Sequence, residues 1–448
     1  MKATESDNDT ERLPIAGLLA LAMTGFICIL TETLPAGLLP QITDGLGVSP
    51  SLAGQMVTVY ALGSLLAAIP LTIATSSWRR RTVLLSTIIG FLIFNSVTAI
   101  SSNYTLTLVA RFFAGVAAGL AWSLLAGYAR RMVPSYQQGK AMAIAMVGTP
   151  IALSLGVPMG TWLGARIGWR TAFWIMSILT LVLIGWVVMK VPDYPGQKKG
   201  DRLPLLRVFS TPGVRPVLSV VIAWMLAHNI LYTYIAPFVE SAGMQDRVDL
   251  VLLVFGLAAL VGIWMAGKLV DRLLRATVLT SLAAFGLVSL LFGIVSISPW
   301  VIYGGVAIWG LTFGGAATLL QTALADTAGD GADVALSMNV VAWNGAIAGG
   351  GIMGGILLDA YGPTAFPWAL TVLLVIALLI VWSGRVRGFT PGARTSNAKG
   401  GDTDASLRQS SVLSLRRWGS HVSYWRVVTT GQRFDFVQCE NAISLFVM

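Results

Sequence analysis

The chain is predicted to be an all-α polytopic membrane protein, with twelve transmembrane helices in two pseudo-symmetric six-helix bundles. Three observations carry that expectation. Of 448 residues, 55% are hydrophobic and only 11% charged, where soluble domains carry about 25% charged residues. The apolar residues fall in long runs, not in the short alternating segments a membrane barrel needs. A Pro-, Gly- and cation-rich stretch then divides those runs six and six.

The runs are 14–40, 50–75, 82–100, 105–129, 138–165, 169–190, 214–239, 249–270, 276–297, 299–325, 334–358 and 363–384. Each holds roughly 20 or more mainly apolar residues, enough for a tilted helix to cross a hydrocarbon layer. The domain plan is a cytoplasmic N-terminus (1–13), a first bundle (14–190), a cytoplasmic linker (191–213), a second bundle (214–385) and a cytoplasmic tail (386–448). Residues 1–13 hold Glu5, Asp7, Asp9 and Glu11 and lack the basic start of a cleaved signal peptide, so span 1 is expected to be retained. The Ser- and Arg-rich tail has no sustained period and is expected to be disordered. Within it, a weakly amphipathic stretch around Leu413–Val428 is the part suited to touching anionic lipid.

Cations sort by side. Arg79, Arg80 and Arg81 follow span 2, Arg130, Arg131 and Lys140 follow span 4, and Lys268, Arg272 and Arg275 follow span 8. The linker is basic as well, whereas the loop after span 10 has no cation and is an exception. The opposite side shows only Arg166, Arg170 and Arg247. Positive charge gathers on cytoplasmic loops, so both termini are expected in the cytoplasm, with the chain multi-pass in a bacterial plasma (inner) membrane. Nine of the thirty Lys and Arg residues lie beyond Ser383. The net charge of +10 therefore reports orientation in the bilayer, and no nucleic-acid partner is expected. Two cysteines, Cys28 and Cys439, make no disulfide framework, and two histidines make no metal cluster.

Span 5 is the least ordinary helix. Its uncharged stretch from Ala141 to Leu163 carries Gly148, Pro150, Gly156, Pro158 and Gly160. Gly and Pro weaken a helix in water, but in lipid neighbouring helices satisfy freed backbone groups and glycines admit close backbones. This helix is expected to bend and pack tightly. Spaced glycines also suggest an internal repeat. Gly115 and Gly119 of span 4 recur as Gly310 and Gly314, Val83-Leu84 recurs as Val278-Leu279, and Gly160 and Gly168 recur as Gly354 and Gly362. Such agreeing offsets indicate a parallel repeat.

Glu32 is the acid clearly inside a span. Burying a carboxylate in a bilayer costs at least a few kcal/mol, so such residues face a cavity and bear function by default. It is the first candidate for proton coupling, against the bland alternative of a permanent ion pair near the surface. Arg111 sits at a similar depth in span 4 and is its natural partner, unless it instead bonds backbone carbonyls as a packing residue. His228, beside Asn229 in span 7, is the third coupling candidate because imidazole titrates in the useful range; a neutral histidine bonded across helices is the competing role. Tyr60, Trp122, Tyr232, Gln321, Trp343 and Asn344 are the substrate-cavity candidates, since aromatic faces and a few amides suit an amphipathic ligand, although aromatics in spans also serve as packing and interfacial anchors. No nucleotide loop, metal-ligand cluster or nucleophile–base pair stands out.

At this point residues 14–385 resemble the major facilitator superfamily, and within it the twelve-span drug:proton antiporters of the bacterial chloramphenicol and arabinose (sugar) efflux branch. The likeness is carried by ETLPAGLLPQI (Glu32 to Ile42), by Arg111 with Gly115 and Gly119, and by Gly148 through Gly160 with its GVPMG ending. Gly168-Trp169-Arg170 and TYIAP (Thr233 to Pro237) add to it. The resemblance implies the major facilitator fold, with Gly115, Gly119, Gly148, Pro150, Gly156, Pro158 and Gly160 as conformational and packing positions. It also implies a cytoplasmic loop motif of Gly, Asp-Arg and further cations. The second half keeps this as Gly267, Asp271, Arg272 and Arg275, whereas the first half reads TIATSSWRRR, with Ser76 where the acid is expected. Val157 loosens the Gly-Pro pattern of span 5.

The expected function is a secondary active transporter, a monomer with no cofactor, that uses the proton gradient to export small amphipathic molecules, drug-like or sugar- or nucleoside-like, by alternating access. Its partners are then a small-molecule substrate, protons and the lipid bilayer. An uptake symporter or uniporter of the same fold is the alternative within the class, and a non-transporting ligand sensor the alternative outside it. An enzyme is not expected.

Overall fold

The computed structural model describes residues 13–196, 205–295, 298–390 and 392, together with the strands given below. The N-terminal segment, part of the linker and most of the tail expected to be disordered lie outside the described residues. Span 1 is Ile15–Gly37, span 2 Pro50–Ala74, span 3 Arg80–Ile100, span 4 Tyr104–Arg131, span 5 Gln138–Ile167 and span 6 Trp169–Lys190. In the second bundle, span 7 is Val214–Thr233 continued by Ile235–Glu240, span 10 is Pro299–Gly314 continued by Ala316–Ala328, span 11 is Ala332–Tyr361 and span 12 is Phe366–Ser383. Spans 8 and 9 run through the 47 residues Val248–Ile294 as two helices joined at a kink, with no loop between them. At 1.5 Å per residue that is about 70 Å, twice a bilayer's hydrocarbon depth. It turns at Leu273, whose φ of −132° is not helical. Twelve crossings therefore stand, with this connection tighter than a loop.

Local chemistry explains most starts and stops. Ser49 Oγ accepts from Leu52 N–H at 3.3 Å and Asn103 Oδ1 from Leu106 N–H at 3.0 Å, each satisfying an orphan donor of a helix start. Pro50 and Pro299 occupy first turns, where the missing N–H costs nothing. Some helices end earlier than apolar length alone predicts. Span 1 stops at Gly37, after Pro35, and a short helix Leu39–Leu46 follows. Span 7 breaks at Tyr234, and span 10 at the Gly314-Gly315 pair. Gly168 and Gly362 close spans 5 and 11 with φ of 92° and 74°, a region side chains rarely adopt.

Span 5 bends as expected. It divides into Gln138–Met146, Gly148–Ile151, a π-helical turn Ala152–Gly156, and Val157–Ile167. Pro158 has no N–H to close the ordinary ladder there, and Ser154 Oγ donates to the Pro150 carbonyl at 2.7 Å. Its glycines face span 1: Gly148 abuts the Ala22 backbone, Gly156 the Phe26 ring, Gly160 Leu34 and Gly164 Leu38. Its bulged backbone at Leu153 and Ser154 abuts Gly256 of span 8. Span 5 thus seats span 1 on one side and meets the second bundle on the other.

The repeat is visible in packing. Gly115 and Gly119 lie against the span 2 backbone at Tyr60 and Ser64. Gly310 and Gly314 lie against the span 8 backbone at Phe255 and Ala259. Both members of each contact recur at the same spacing along the chain, so the two bundles use one packing solution.

By itself, the tail segment 414–439 contains three antiparallel strands: β1 (Ser414–Arg417), β2 (Val422–Thr429) and β3 (Gln432–Cys439), with Tyr424 opposite Val437 and Trp425 opposite Phe436. The β-branched and aromatic side chains of VSYWRVVT favour a strand, as composition averaged over the whole tail does not show.

Candidate functional site

Glu32 lies in the last third of span 1, 9% exposed. Among the described residues it is the one buried acid, and it makes no ion pair. Arg111 is fully buried in span 4, and its Nη2 lies 3.5 Å from the Glu32 backbone carbonyl. Its contacts go to the backbone. Nη2 donates to the Thr31 carbonyl at 2.6 Å and Nε to the Met56 carbonyl at 3.3 Å, while Nη1 has no partner. The guanidinium also stacks over Tyr60 (4.8 Å) and nears Phe173 (5.9 Å). Arg111 therefore ties spans 1, 2 and 4 together in the packing role, and leaves the Glu32 carboxyl unclaimed. Asn95 of span 3 adds a bond from Nδ2 to Thr31 Oγ1 at 3.0 Å.

Tyr60 belongs to this framework, not to a cavity wall. It is 0% exposed and donates to the Cys28 carbonyl at 2.9 Å. Trp122 is half-buried and packs over Gly25 of span 1. Gln321 is exposed, and Asn344, 7% exposed, returns its amide to the Val340 carbonyl of its own helix at 2.9 Å.

His228 is placed in a cluster of rings in the second bundle. It lies parallel to Phe313 with centroids 3.5 Å apart, and 5.2, 5.3 and 5.7 Å from Tyr232, Trp309 and Phe255. Trp343 reaches Phe313 at 6.5 Å. Of the six cavity candidates, Tyr232 and Trp343 join this cluster, while Tyr60, Trp122, Gln321 and Asn344 do not. Sequence spacing did not bring in Phe255, Trp309 or Phe313, because bundle packing, not chain distance, gathers spans 7, 8 and 10.

A second constellation was missed altogether. At the end of the bundle remote from Ile15, Tyr234 at the span 7 break donates to the Gly351 carbonyl (2.8 Å), with the Ser51 carbonyl at 3.2 Å. Gln55 Nε2 donates to Tyr234 Oη and to the Gly351 carbonyl, each at 3.3 Å, and Ser51 Oγ donates to Asp359 Oδ2 at 2.7 Å. These bonds join spans 2, 7 and 11 and so tie one bundle to the other. The TYIAP motif contains Tyr234, but nothing in it names Ser51 or Asp359 as partners.

The loop after span 2 finds its acid in the linker. Arg79 pairs with Asp193 at 2.5 Å, the Arg81 N–H donates to the same carboxylate at 3.1 Å, and the Arg80 N–H donates to the Tyr194 carbonyl at 2.9 Å. Burial pushes the Asp193 carboxyl up, but the Arg79 and Arg81 hydrogen bonds and charges hold it below the ordinary value on balance. In the second half, Arg275 donates to the carbonyls of Val381 (2.8 Å), Trp382 (3.0 Å) and Phe389 (3.0 Å), pinning the end of span 12. Asp271 and Arg272 are exposed near it, and Gly267 has open space at its Cα.

Comparison with known proteins agrees with this architecture. The Major Facilitator Superfamily model matches residues 21–349 and 248–445. The chain is 30% identical over 359 residues to a purine ribonucleoside efflux pump, NepI, of Shigella sonnei, covering 79% of this chain and 90% of that one. It is 28% identical over 372 residues to a probable sugar efflux transporter of Mannheimia succiniciproducens (82% and 92%). It is also 27% identical over 386 residues to a protein named transcription regulatory protein OpdE of Pseudomonas aeruginosa (84% and 95%). A crystal structure of a D-xylose-proton symporter has the same fold, with a TM-score of 0.67 at 16% identity, covering 82% of this chain and 96% of that one. With twelve crossings, two bundles packed by one repeated glycine contact and a family match over most of its length, this chain belongs to the Major Facilitator Superfamily and is a membrane transporter.

Proposed function

We propose that the protein exports a small uncharged polar molecule, nucleoside- or sugar-like, in exchange for protons. The observation that carries this is Glu32, a carboxyl buried inside a span without an ion-pair partner. A buried carboxylate held permanently by Arg111 would be a structural charge. One left unclaimed is available to take up and release a proton as its access changes. The names of the nucleoside and sugar efflux relatives support the substrate class and the direction.

The distribution of Arg and Lys favours both termini in the cytoplasm. On that orientation the Ser51–Tyr234–Asp359 ties lie at the outer end, and their opening is the step that releases substrate outward. The coupling is competitive: Glu32 takes a proton when facing out, which releases substrate, and loses it when facing in. Such linkage is reciprocal, so substrate binding releases protons. In everted vesicles, Glu32→Gln is expected to bind substrate but to lose uptake driven by a pH gradient. Gradient-driven uptake equal to that of the unaltered protein overturns the scheme.

A further inference from the structure

The ring cluster of the second bundle carries more polarity than packing requires. Among the described residues, His228 Nδ1 and Trp309 Nε1 are buried without a hydrogen-bond partner, in residues that are 7% and 0% exposed, while the Tyr232 hydroxyl, 3% exposed, has only Thr33 of span 1 beside it. The rings are mutual neighbours, with His228–Tyr232 centroids 5.2 Å, His228–Trp309 5.3 Å and Tyr232–Trp309 6.2 Å apart. An unpaired buried donor or acceptor costs about 1–3 kcal/mol. Two in one cluster are a load that a core of phenylalanines would not carry, and such groups call for a partner.

Phe313 indicates the shape of that partner. Its ring lies on His228 at 3.5 Å with 2° between planes, the separation of two flat rings in van der Waals contact. It is also, at 9% exposed, the most open of the rings packed directly on His228. The helix that carries it breaks two residues later, at Gly315, so the ring sits beside a natural pivot.

We propose that Phe313 occupies a slot over His228 that receives a flat, uncharged heteroaromatic ring of the transported molecule, whose edge hydrogen-bonds to Tyr232, Trp309 and the His228 imidazole. This deepens the transport reading and rests on it. An anionic ring is disfavoured, because among the described residues the rings packed on His228 are Tyr232, Phe255, Trp309 and Phe313, none of them a cation. A cation would gain from the ring faces, but it would leave the Trp309 N–H, which can only donate, without an acceptor. A sugar lacking the ring leaves the stacking face unused.

The test is direct binding to the purified full-length protein in detergent, by calorimetry, using inosine, D-ribose and tetraphenylphosphonium as probes. Inosine is expected to bind at least about tenfold tighter than the other two, a difference of about 1.4 kcal/mol. Tyr232→Phe and His228→Phe keep the rings and are expected to weaken inosine about tenfold while leaving D-ribose unchanged. Phe313→Ala, which removes the competing ring, is expected to tighten inosine. D-ribose or the phosphonium binding as tightly as inosine, or inosine indifferent to both polar deletions, overturns the proposal. Counterflow in proteoliposomes separates the two levels. Sugar counterflow that ignores the ring sinks the subsite and spares the transporter. Inosine binding without counterflow of any probe sinks the transporter and spares the subsite.

Discussion

Arg111 donates to the carbonyl oxygen of Thr31 at 2.6 Å, one residue before the Glu32 carboxyl that was its alternative partner. That single register step separates structural charge from working charge in the first bundle. Bonds to a charged donor are worth about 1.5–3 kcal/mol each. Arg111→Lys lacks the fork that spans the Thr31 and Met56 carbonyls, and Arg111→Met lacks any donor. Both are expected to lower thermal stability in detergent, the methionine variant more. Glu32→Gln, which breaks no ion pair among the described residues, is expected not to lower it. Equal melting of the wild type and Arg111→Met would remove Arg111 from the framework.

The Ser51–Asp359 bond joins the two bundles at one end, with oxygen atoms 2.7 Å apart. Cysteines at these two positions are expected to form a disulfide on mild oxidation and to stop transport, with recovery on reduction. If transport continues with the disulfide formed, this end need not open.

Tyr234→Phe keeps the ring but removes the hydroxyl between the Gly351 and Ser51 carbonyls. The expected result is a population shift away from the sealed state, read as faster alkylation of a cysteine placed at Gln55. Loss of one buried hydrogen bond is worth about 1 kcal/mol, several-fold in the opening equilibrium. Unchanged labelling would make the bond incidental.

Gly115 and Gly310 allow two helix backbones to touch, at Tyr60 and Phe255 respectively. Gly115→Leu and Gly310→Leu are each expected to destabilise by about 1–3 kcal/mol or more through overpacking, and to reduce the folded yield. Gly304→Ala, with open space around it, is expected to be neutral or stabilising by up to about 1 kcal/mol. Similar yields for all three would mean that the close approach is not required.

Asp193 ties the start of the linker to the Arg79–Arg81 turn. Because its carboxyl is held below the ordinary value of 3.8, the tie contributes fully above that value and is lost as pH falls through the lower folded value. Hydrogen exchange at the Arg81 amide is the measure. Asp193→Asn is expected to lose protection at neutral pH, and the wild type only in acid. Protection that is indifferent to both changes would exclude the carboxylate as its cause.

Hydropathy, the glycine spacings and the Arg-Lys sorting were enough to place twelve spans, the repeat and the bend in span 5, because each depends on a residue and its near neighbours along the chain. Glu32 was legible for the same reason: an acid in an apolar run is conspicuous wherever the run packs. Tyr60 was open to a cavity role beside the commoner packing one, since a span's amino acids do not say which side faces its partners. The partner of Arg111, the linker acid beside Arg79, the ring cluster on His228 and the Tyr234 tie were decided only by tertiary structure. Each joins groups from different helices, and which faces meet is set by how glycine-lined backbones close on one another, a three-dimensional fit that no single helix encodes.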